Sequence, residues 1–115
     1  MSDDGLGMPA PKRVGPADVT PLILGDVRYE AIHWGKERGL GQNGGIIAAF
    51  DNATDAELWT LKVYEIDYEP GLEEDVQDIF ITTLRRGATP GSIEVMDENG
   101  RRFVVDTSTR TVLAD

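Results

Sequence analysis

The sequence predicts a small all-β domain, arranged as an antiparallel sandwich, a meander or an open barrel of about six or seven strands with at most one short helix. Three observations support this prediction. Apolar residues recur in short segments that are rich in β-branched and aromatic side chains. Glycine, proline, asparagine and aspartate separate these segments at short intervals. The pair Asn99-Gly100 stands between two alternating apolar segments, as is typical of a tight hairpin turn.

A chain of 115 residues has room for one domain. Residues 1–21 contain four of the six prolines and show no apolar periodicity. Such a segment cannot bury enough apolar surface to offset the entropy of ordering it. We therefore predict a disordered N-terminal arm over 1–21 and a single β domain over 22–115.

The strands follow from apolar alternation bounded by turn residues. Strands are predicted over 27–34, 45–50, 57–68, 79–86, 92–97 and 101–106, with a short seventh over 107–113. The alternation in 27–34 leaves open which of its faces is buried. The 57–68 strand is apolar on both faces, which indicates a central strand. Helical spacing of apolar residues across 72–78, with acids in the first turn, predicts the one short helix.

One of these hairpins carries a local family resemblance. Residues 49–59 read AFDNATDAELW and match the form A-x-D-x-x-T-G-x-x-L-W at Ala49, Asp51, Thr54, Leu58 and Trp59. This segment is similar to the blade repeat of quinoprotein-type β-propellers, although Asp55 stands where that repeat has glycine. The match covers 11 of 115 residues and is found once. The resemblance implies a β-hairpin whose Trp59 packs structurally against a core, and it implies no quinone cofactor.

Charge and composition exclude several function classes. The net charge of −10 opposes binding to nucleic acid or to anionic membrane surfaces. Residues 65–78 alone contribute seven acids and no base. The chain has no cysteine and one histidine, which makes a transition-metal site a poor fit. Neither a membrane-spanning apolar run nor a signal-peptide pattern is found, so we expect a cytoplasmic protein without membrane contact.

The most distinctive segment is the loop 35–45, in which five of eleven residues are glycine. Glycines let backbone N–H groups converge on an anion, and nearby cations strengthen such a site. The loop lacks the pattern of either known nucleotide-binding glycine motif. Its other interpretation is a hairpin loop or a protein-contact loop. The candidate ligand-binding residues are His33, Trp34, Lys36, Arg38, Gln42 and Asn43.

The sequence contains no catalytic motif, no metal site and no cofactor motif that stands out. Its acidic segment is a candidate surface for docking a basic protein, through Glu69, Glu73, Glu74 and Asp75. The leading hypothesis is therefore a non-enzymatic protein-interaction module, acting on a protein partner or through self-association. The alternative is a small-molecule or anion-binding domain, which could be an enzyme, using the loop 35–45.

Overall fold

Eight antiparallel strands form the fold of the residues that the computed structural model describes, which are 16, 18–73 and 77–113. The strands are β1 (Leu22–Leu24), β2 (Val27–Ile32), β3 (Ile46–Asp51), β4 (Glu57–Lys62), β5 (Ile81–Arg86), β6 (Ser92–Asp97), β7 (Arg102–Asp106) and β8 (Thr111–Leu113). One short 3₁₀ helix, Gly35–Arg38, lies between β2 and β3.

The strands divide into two four-stranded meanders. The first sheet has the order β1-β2-β3-β4 and the second sheet the order β5-β6-β7-β8. Every neighbouring pair is antiparallel and consecutive in the chain. The all-β prediction is confirmed, with the arrangement being two layered meanders that are not closed into a barrel. Asn99-Gly100 lies in the turn between β6 and β7, as the hairpin pattern predicts.

One face of each sheet contributes to a shared hydrophobic core, and we call this the inner face and the opposite one the outer face. Strand β5 of the second sheet packs near β1 and β2 of the first. The open question about β2 is settled by alternation: Val27, Tyr29 and Ala31 point inward. The fully buried inner residues include Ile47, Ala49, Ile93, Val95 and Val105.

The same turn joins the last two strands of each sheet. Asp51 ends β3, and its Oδ1 accepts the backbone N–H groups of the second and third residues after it, at 2.9 and 3.2 Å. Asp106 ends β7 and accepts the equivalent two bonds at 2.9 and 3.3 Å. In both turns the fourth residue after the aspartate has a positive φ, 65° at Asp55 and 58° at Arg110. The turn geometry of the β3–β4 hairpin thus recurs between β7 and β8.

The segment after β4 corrects one prediction. The chain leaves the first sheet at Lys62, and β4 is an edge strand rather than the predicted central strand. The apolar residues that suggested a longer strand are buried outside the sheet: Val63, Tyr64 and Ile66 join the shared core. The Tyr64 ring stacks on Phe103 of β7 with centroids 5.1 Å apart. The connecting segment, residues 63–80, therefore begins in the core with Val63, Tyr64 and Ile66.

Two further predictions fall partly outside the described residues. The predicted helix over 72–78 includes 74–76, which are not described. The predicted disordered arm, 1–21, is described only at Pro16 and over 18–21, where Val19 packs against the core. Trp59, expected to pack structurally, lies against the core with its ring 5.9 Å from that of Tyr29.

Candidate functional site

The glycine-rich loop is folded against the body of the protein by its own backbone. The 3₁₀ helix Gly35–Arg38 ends at Gly39, which has φ 77°. The N–H of Leu40 donates to the Gly35 carbonyl at 2.9 Å, and the N–H of Gly35 donates to the Asn43 carbonyl at 3.2 Å. These bonds close the loop on itself, so the high glycine content serves a tight local structure.

Gln42 is the most deeply buried polar residue of the loop, with 1% of its surface exposed. Its Nε2 donates to the carbonyls of Gly44 and Tyr64 at 2.7 and 2.8 Å. Its Oε1 accepts the N–H of Ile66 at 2.9 Å. The side chain thus satisfies three backbone groups, two of them in the connecting segment, and has a structural role.

A second polar cluster surrounds the buried carboxylate of Asp78. The Tyr68 hydroxyl donates to Oδ1 at 2.5 Å, and the Asn43 side-chain amide donates to Oδ2 at 3.1 Å. The backbone N–H of Asn43 donates to the Tyr68 hydroxyl at 3.2 Å. The Lys36 ammonium lies 4.0 Å from the centre of the Tyr68 ring, and the Lys36 backbone N–H donates to Asn43 Oδ1 at 3.2 Å. The predicted ligand residues Lys36 and Asn43 therefore hold the loop to the connecting segment.

The two aromatic candidates pack around one ring. His33 and Trp34 both approach Phe80 edge-on, with centroid distances of 5.3 and 5.8 Å. His33 is half-buried, whereas Trp34 keeps 47% of its surface exposed. Trp34 is thus an exposed aromatic side chain beside the loop.

Arg38 forms an ion pair with Glu57 of β4, with about a third of each side chain exposed. The structure consequently brings all six predicted residues to one region, yet the described contacts of Lys36, Arg38, Gln42 and Asn43 are with the protein itself. Close approach to another part of the chain requires glycine at position 44. A Cβ at this position would lie about 3 Å from the Ile79 carbonyl carbon and the Phe80 Cα.

The acidic docking candidates are placed in part. Glu69 and Glu73 are exposed, while Glu74 and Asp75 lie outside the described residues. Gln77 organises this stretch, accepting the N–H of Glu69 at 2.6 Å and donating to the Glu73 carbonyl at 3.2 Å. Within 16, 18–73 and 77–113, no group of three or more histidine or acidic side chains is arranged to hold a metal ion.

A charged ladder crosses the outer face of the second sheet, and the sequence analysis did not predict it. Glu94 of β6 is bracketed by two cations, with Arg85 Nη2 at 2.5 Å and Arg102 Nη1 at 3.0 Å. The hydrogen bond from Arg85 is the main cause that holds the pKa of Glu94 below its ordinary value. Strand register could have indicated this cluster, because Arg85 pairs with Glu94 across β5 and β6.

The outer face of the first sheet carries a ladder of opposite balance. Arg28 of β2 pairs with Glu30 at 2.6 Å and with Asp55 at 2.9 Å, and its guanidinium lies 5.2 Å from the centre of the Phe50 ring. The hydrogen bond to Glu30, followed by that to Asp55, raises the pKa of Arg28 above its ordinary value. Arg28 thus lies between Glu30 on the same outer face and Asp55 of the β3–β4 turn.

A shallow groove lies between the end of β1 and the β5–β6 turn. It has a volume of about 170 Å³ and is lined by Leu24, Arg86 and residues 87–92. The Ser92 hydroxyl that faces this turn donates to the Thr89 carbonyl at 2.7 Å, so it serves the turn itself.

No protein family, curated protein or solved structure matches this chain. Over the described part of the chain, no helix is long and apolar enough to span a membrane. The function must therefore be argued from the surfaces described above.

Proposed function

We propose that this chain is a non-enzymatic protein-interaction module whose contact surface is the outer face of the second sheet. The single observation that carries the proposal is the Arg85–Glu94–Arg102 ladder, which holds charged groups in fixed positions beside half-buried and exposed apolar side chains. Apolar residues of the same face are Met96, Val104 and Leu113, and Leu113 is 44% exposed.

The chemistry of this face suits a protein partner. Arginine and methionine are enriched in protein interfaces, because each offers a long apolar stem together with a polar or polarizable end. Glu94 holds both guanidinium groups on a rigid sheet, so less side-chain entropy is lost when a partner binds. Arg85 and Arg102 still have 57% and 54% of their side chains exposed, which leaves donors available to that partner.

The contacts of the glycine-rich loop do not favour the small-molecule alternative. An anion site needs donors aimed at an open space. Here the Gln42 amide and the Asn43 amide donate within the protein, and Arg38 pairs with Glu57. We therefore propose a role for the loop 35–45 in joining the first sheet to the connecting segment. The absence of nucleic-acid partners belongs to the same proposal and is supported by the net charge of −10. We also propose a cytoplasmic location.

Site-specific photo-crosslinking in cells that naturally express the chain tests the proposal. A photoreactive phenylalanine derivative replaces Val104 on the outer face in one variant, and Asn99 in the exposed β6–β7 turn in the control. We expect a light-dependent protein adduct from position 104, several-fold above that from position 99, and its loss when Arg102→Glu is added. Equal or absent adducts from both positions, in variants whose circular dichroism matches the parent, would overturn the proposal.

A further inference from the structure

We infer that a second copy of this chain pairs with the unpaired edge of β4, so that the two first sheets join into one antiparallel sheet around a twofold axis. This edge is a surface other than the outer face of the second sheet, so the inference goes beyond the proposed function. It follows from the direction of the backbone groups of β4, from the cover of the core on that side and from the side chains beside the edge.

The backbone of β4 has hydrogen-bonding groups on the side away from β3, which is its one neighbour among the described strands. In an antiparallel pair, residues whose N–H and C=O groups point toward the partner strand alternate with residues whose groups point away. The N–H of Val63 donates to the Gly45 carbonyl at 2.7 Å, so the Val63 backbone points toward β3. The Leu61 backbone therefore does the same, whereas the groups of Thr60 and Lys62 point away from it.

These outward groups of Thr60 and Lys62 form the free edge of β4, with two N–H and two C=O groups. A twofold axis at Leu61 places Thr60 of one copy opposite Lys62 of the other, and every group of the free edge then has a partner. The β-bulge at Leu58 lies before this stretch and does not interrupt it. The other edge strands are less available, because β1 and β8 have three residues each and β5 lies beside β1 and β2.

The core is less well covered on the side of β4 than in the middle of the sheet. The inner residues of β3, Ile47 and Ala49, are fully buried, whereas Trp59 and Leu61 of β4 are half-buried. Strand β8 lies on the same side, since Arg110 next to it lies over the Trp59 ring. In the twofold arrangement the Leu61 side chains of the two copies face each other on the inner side. A second copy therefore covers the core and satisfies the backbone together.

The side chains beside the free edge are compatible with this pairing. Leu58 lies three residues from the axis, is 48% exposed and would lose contact with water. A lysine on an edge strand ordinarily opposes pairing with another chain. Here the Lys62 ammonium lies 3.4 Å from Glu65 of the same chain, so each copy brings a counter-charge to the axis. Thr60, which lies opposite Lys62, is small and uncharged and leaves space for it.

The net charge of −10 predicts how this pairing depends on salt. Two copies repel each other through their like net charge, and dissolved ions screen that repulsion. The Debye length falls from about 8 Å at about 0.15 M salt to about 3 Å at about 1 M. Association through backbone and apolar groups should therefore strengthen over this range. Association that weakens instead would indicate a contact made by charge pairs and would overturn the inference.

Sedimentation velocity on the purified full-length chain tests the inference, with Thr60→Pro as the diagnostic variant. Proline removes the outward N–H and places its ring at the free edge, while the hydrogen bonds to β3 remain. We expect the parent to approach twice the 12.6 kDa of one chain as concentration rises. Thr60→Pro should associate at least about tenfold more weakly, because each dimer loses two hydrogen bonds.

Ile23→Pro is the matched control. The N–H of Ile23 also points outward from an edge strand, since its neighbours Leu24 and Val27 form the closing pair of the β1–β2 hairpin. Its side chain is likewise uncharged and is 48% exposed. The mass of this variant should follow that of the parent at every concentration.

Amide hydrogen exchange on the parent gives a second readout that needs no substitution. The N–H groups of Thr60 and Lys62 should become protected as the chain associates, whereas that of Ile23 should not. A parent that stays monomeric, or that associates without this protection, would overturn the inference. The same holds if Thr60→Pro keeps the circular dichroism of the parent and associates equally, or if Ile23→Pro loses association too. If Thr60→Pro does not fold, the exchange at Thr60 and Lys62 decides. The position-104 adduct reports on the outer face of the second sheet and tests the proposed function separately.

Discussion

Replacing Gln42 by leucine should remove much of the stability of the fold, because this side chain satisfies three backbone groups in the interior. The substitution keeps the side chain similar in size and leaves the carbonyls of Gly44 and Tyr64 and the N–H of Ile66 without their partner. A buried polar group that loses its hydrogen bond costs about 1–3 kcal/mol. With three groups affected and some compensation from the apolar leucine, we expect a loss of about 3–5 kcal/mol.

This loss is large compared with the total stability of a domain, which is about 5–15 kcal/mol. Urea unfolding followed by tryptophan fluorescence measures it, with the signal from Trp34 and Trp59. For a slope of about 1–1.5 kcal/mol per molar urea, the unfolding midpoint should fall by about 2–5 M. The slope itself should remain unchanged if the variant keeps the same folded and unfolded states.

Gln77→Leu is the matched control, because Gln77 also bonds only to backbone groups but lies at the surface. Water replaces its hydrogen bonds there, so we expect a loss below about 1 kcal/mol. The reasoning is refuted if Gln42→Leu stays within about 0.5 kcal/mol of the parent. It is also refuted if the two substitutions cost the same, since burial would then not decide the effect.

Three further predictions concern pH and close packing. The hydrogen bond from the Ser108 side chain is the main cause that lowers the pKa of Asp106 in the folded state. The ionised Asp106 therefore stabilises the fold above its unfolded pKa of about 4, and this stabilisation is lost as pH falls through the lower folded pKa. Asp106→Asn should flatten the acid limb of urea midpoints measured between pH 6 and 2.5. Burial raises the pKa of Tyr64 in the folded state, so the stability of the fold should decrease as pH rises above about 10. In thermal melts at pH 7 and 11, Tyr64→Phe should reduce this alkaline loss of stability. At pH 7 the same substitution should cost about 1 kcal/mol, because the Ile79 carbonyl loses its hydrogen-bond donor. Gly44→Ala should cost about 1–3 kcal/mol in urea unfolding, because its Cβ would crowd the Ile79 backbone, and a neutral result would show that the loop can move aside.

The strands were predictable because each is marked by local physics. Alternation, β-branched residues and the Asn99-Gly100 turn all act over a few neighbouring residues. The position of β4 was not predictable in this way. An apolar run over 57–68 is equally consistent with a central strand and with an edge strand followed by a buried connection. The structure has the second arrangement, and only tertiary contacts such as Tyr64 on Phe103 distinguish the two.

The glycine-rich loop shows a similar ambiguity at the level of function. Glycine permits close approach to a backbone, and the sequence does not say whether a ligand or another part of the chain makes that approach. Here the approaching group is the chain itself, at Ile79 and Phe80. The polar side chains of the loop likewise contact the chain itself, since Gln42 and Asn43 form hydrogen bonds with the connecting segment. Their partners, Tyr64 and Asp78, are more than twenty residues distant in sequence.

The recurrence of the β3–β4 turn between β7 and β8 was not evident from the sequence, because the two turns meet the same backbone requirements with different residues. The turn requires an aspartate whose carboxylate accepts two N–H groups, and a residue that tolerates positive φ four positions later. Glycine meets the second requirement at the lowest cost, but this chain uses Asp55 in one turn and Arg110 in the other. Arg110 offsets part of that backbone cost by lying 5.3 Å from the centre of the Trp59 ring, which joins the second turn to the first sheet. A residue chosen for its contact with the neighbouring unit obscures the repeat in sequence.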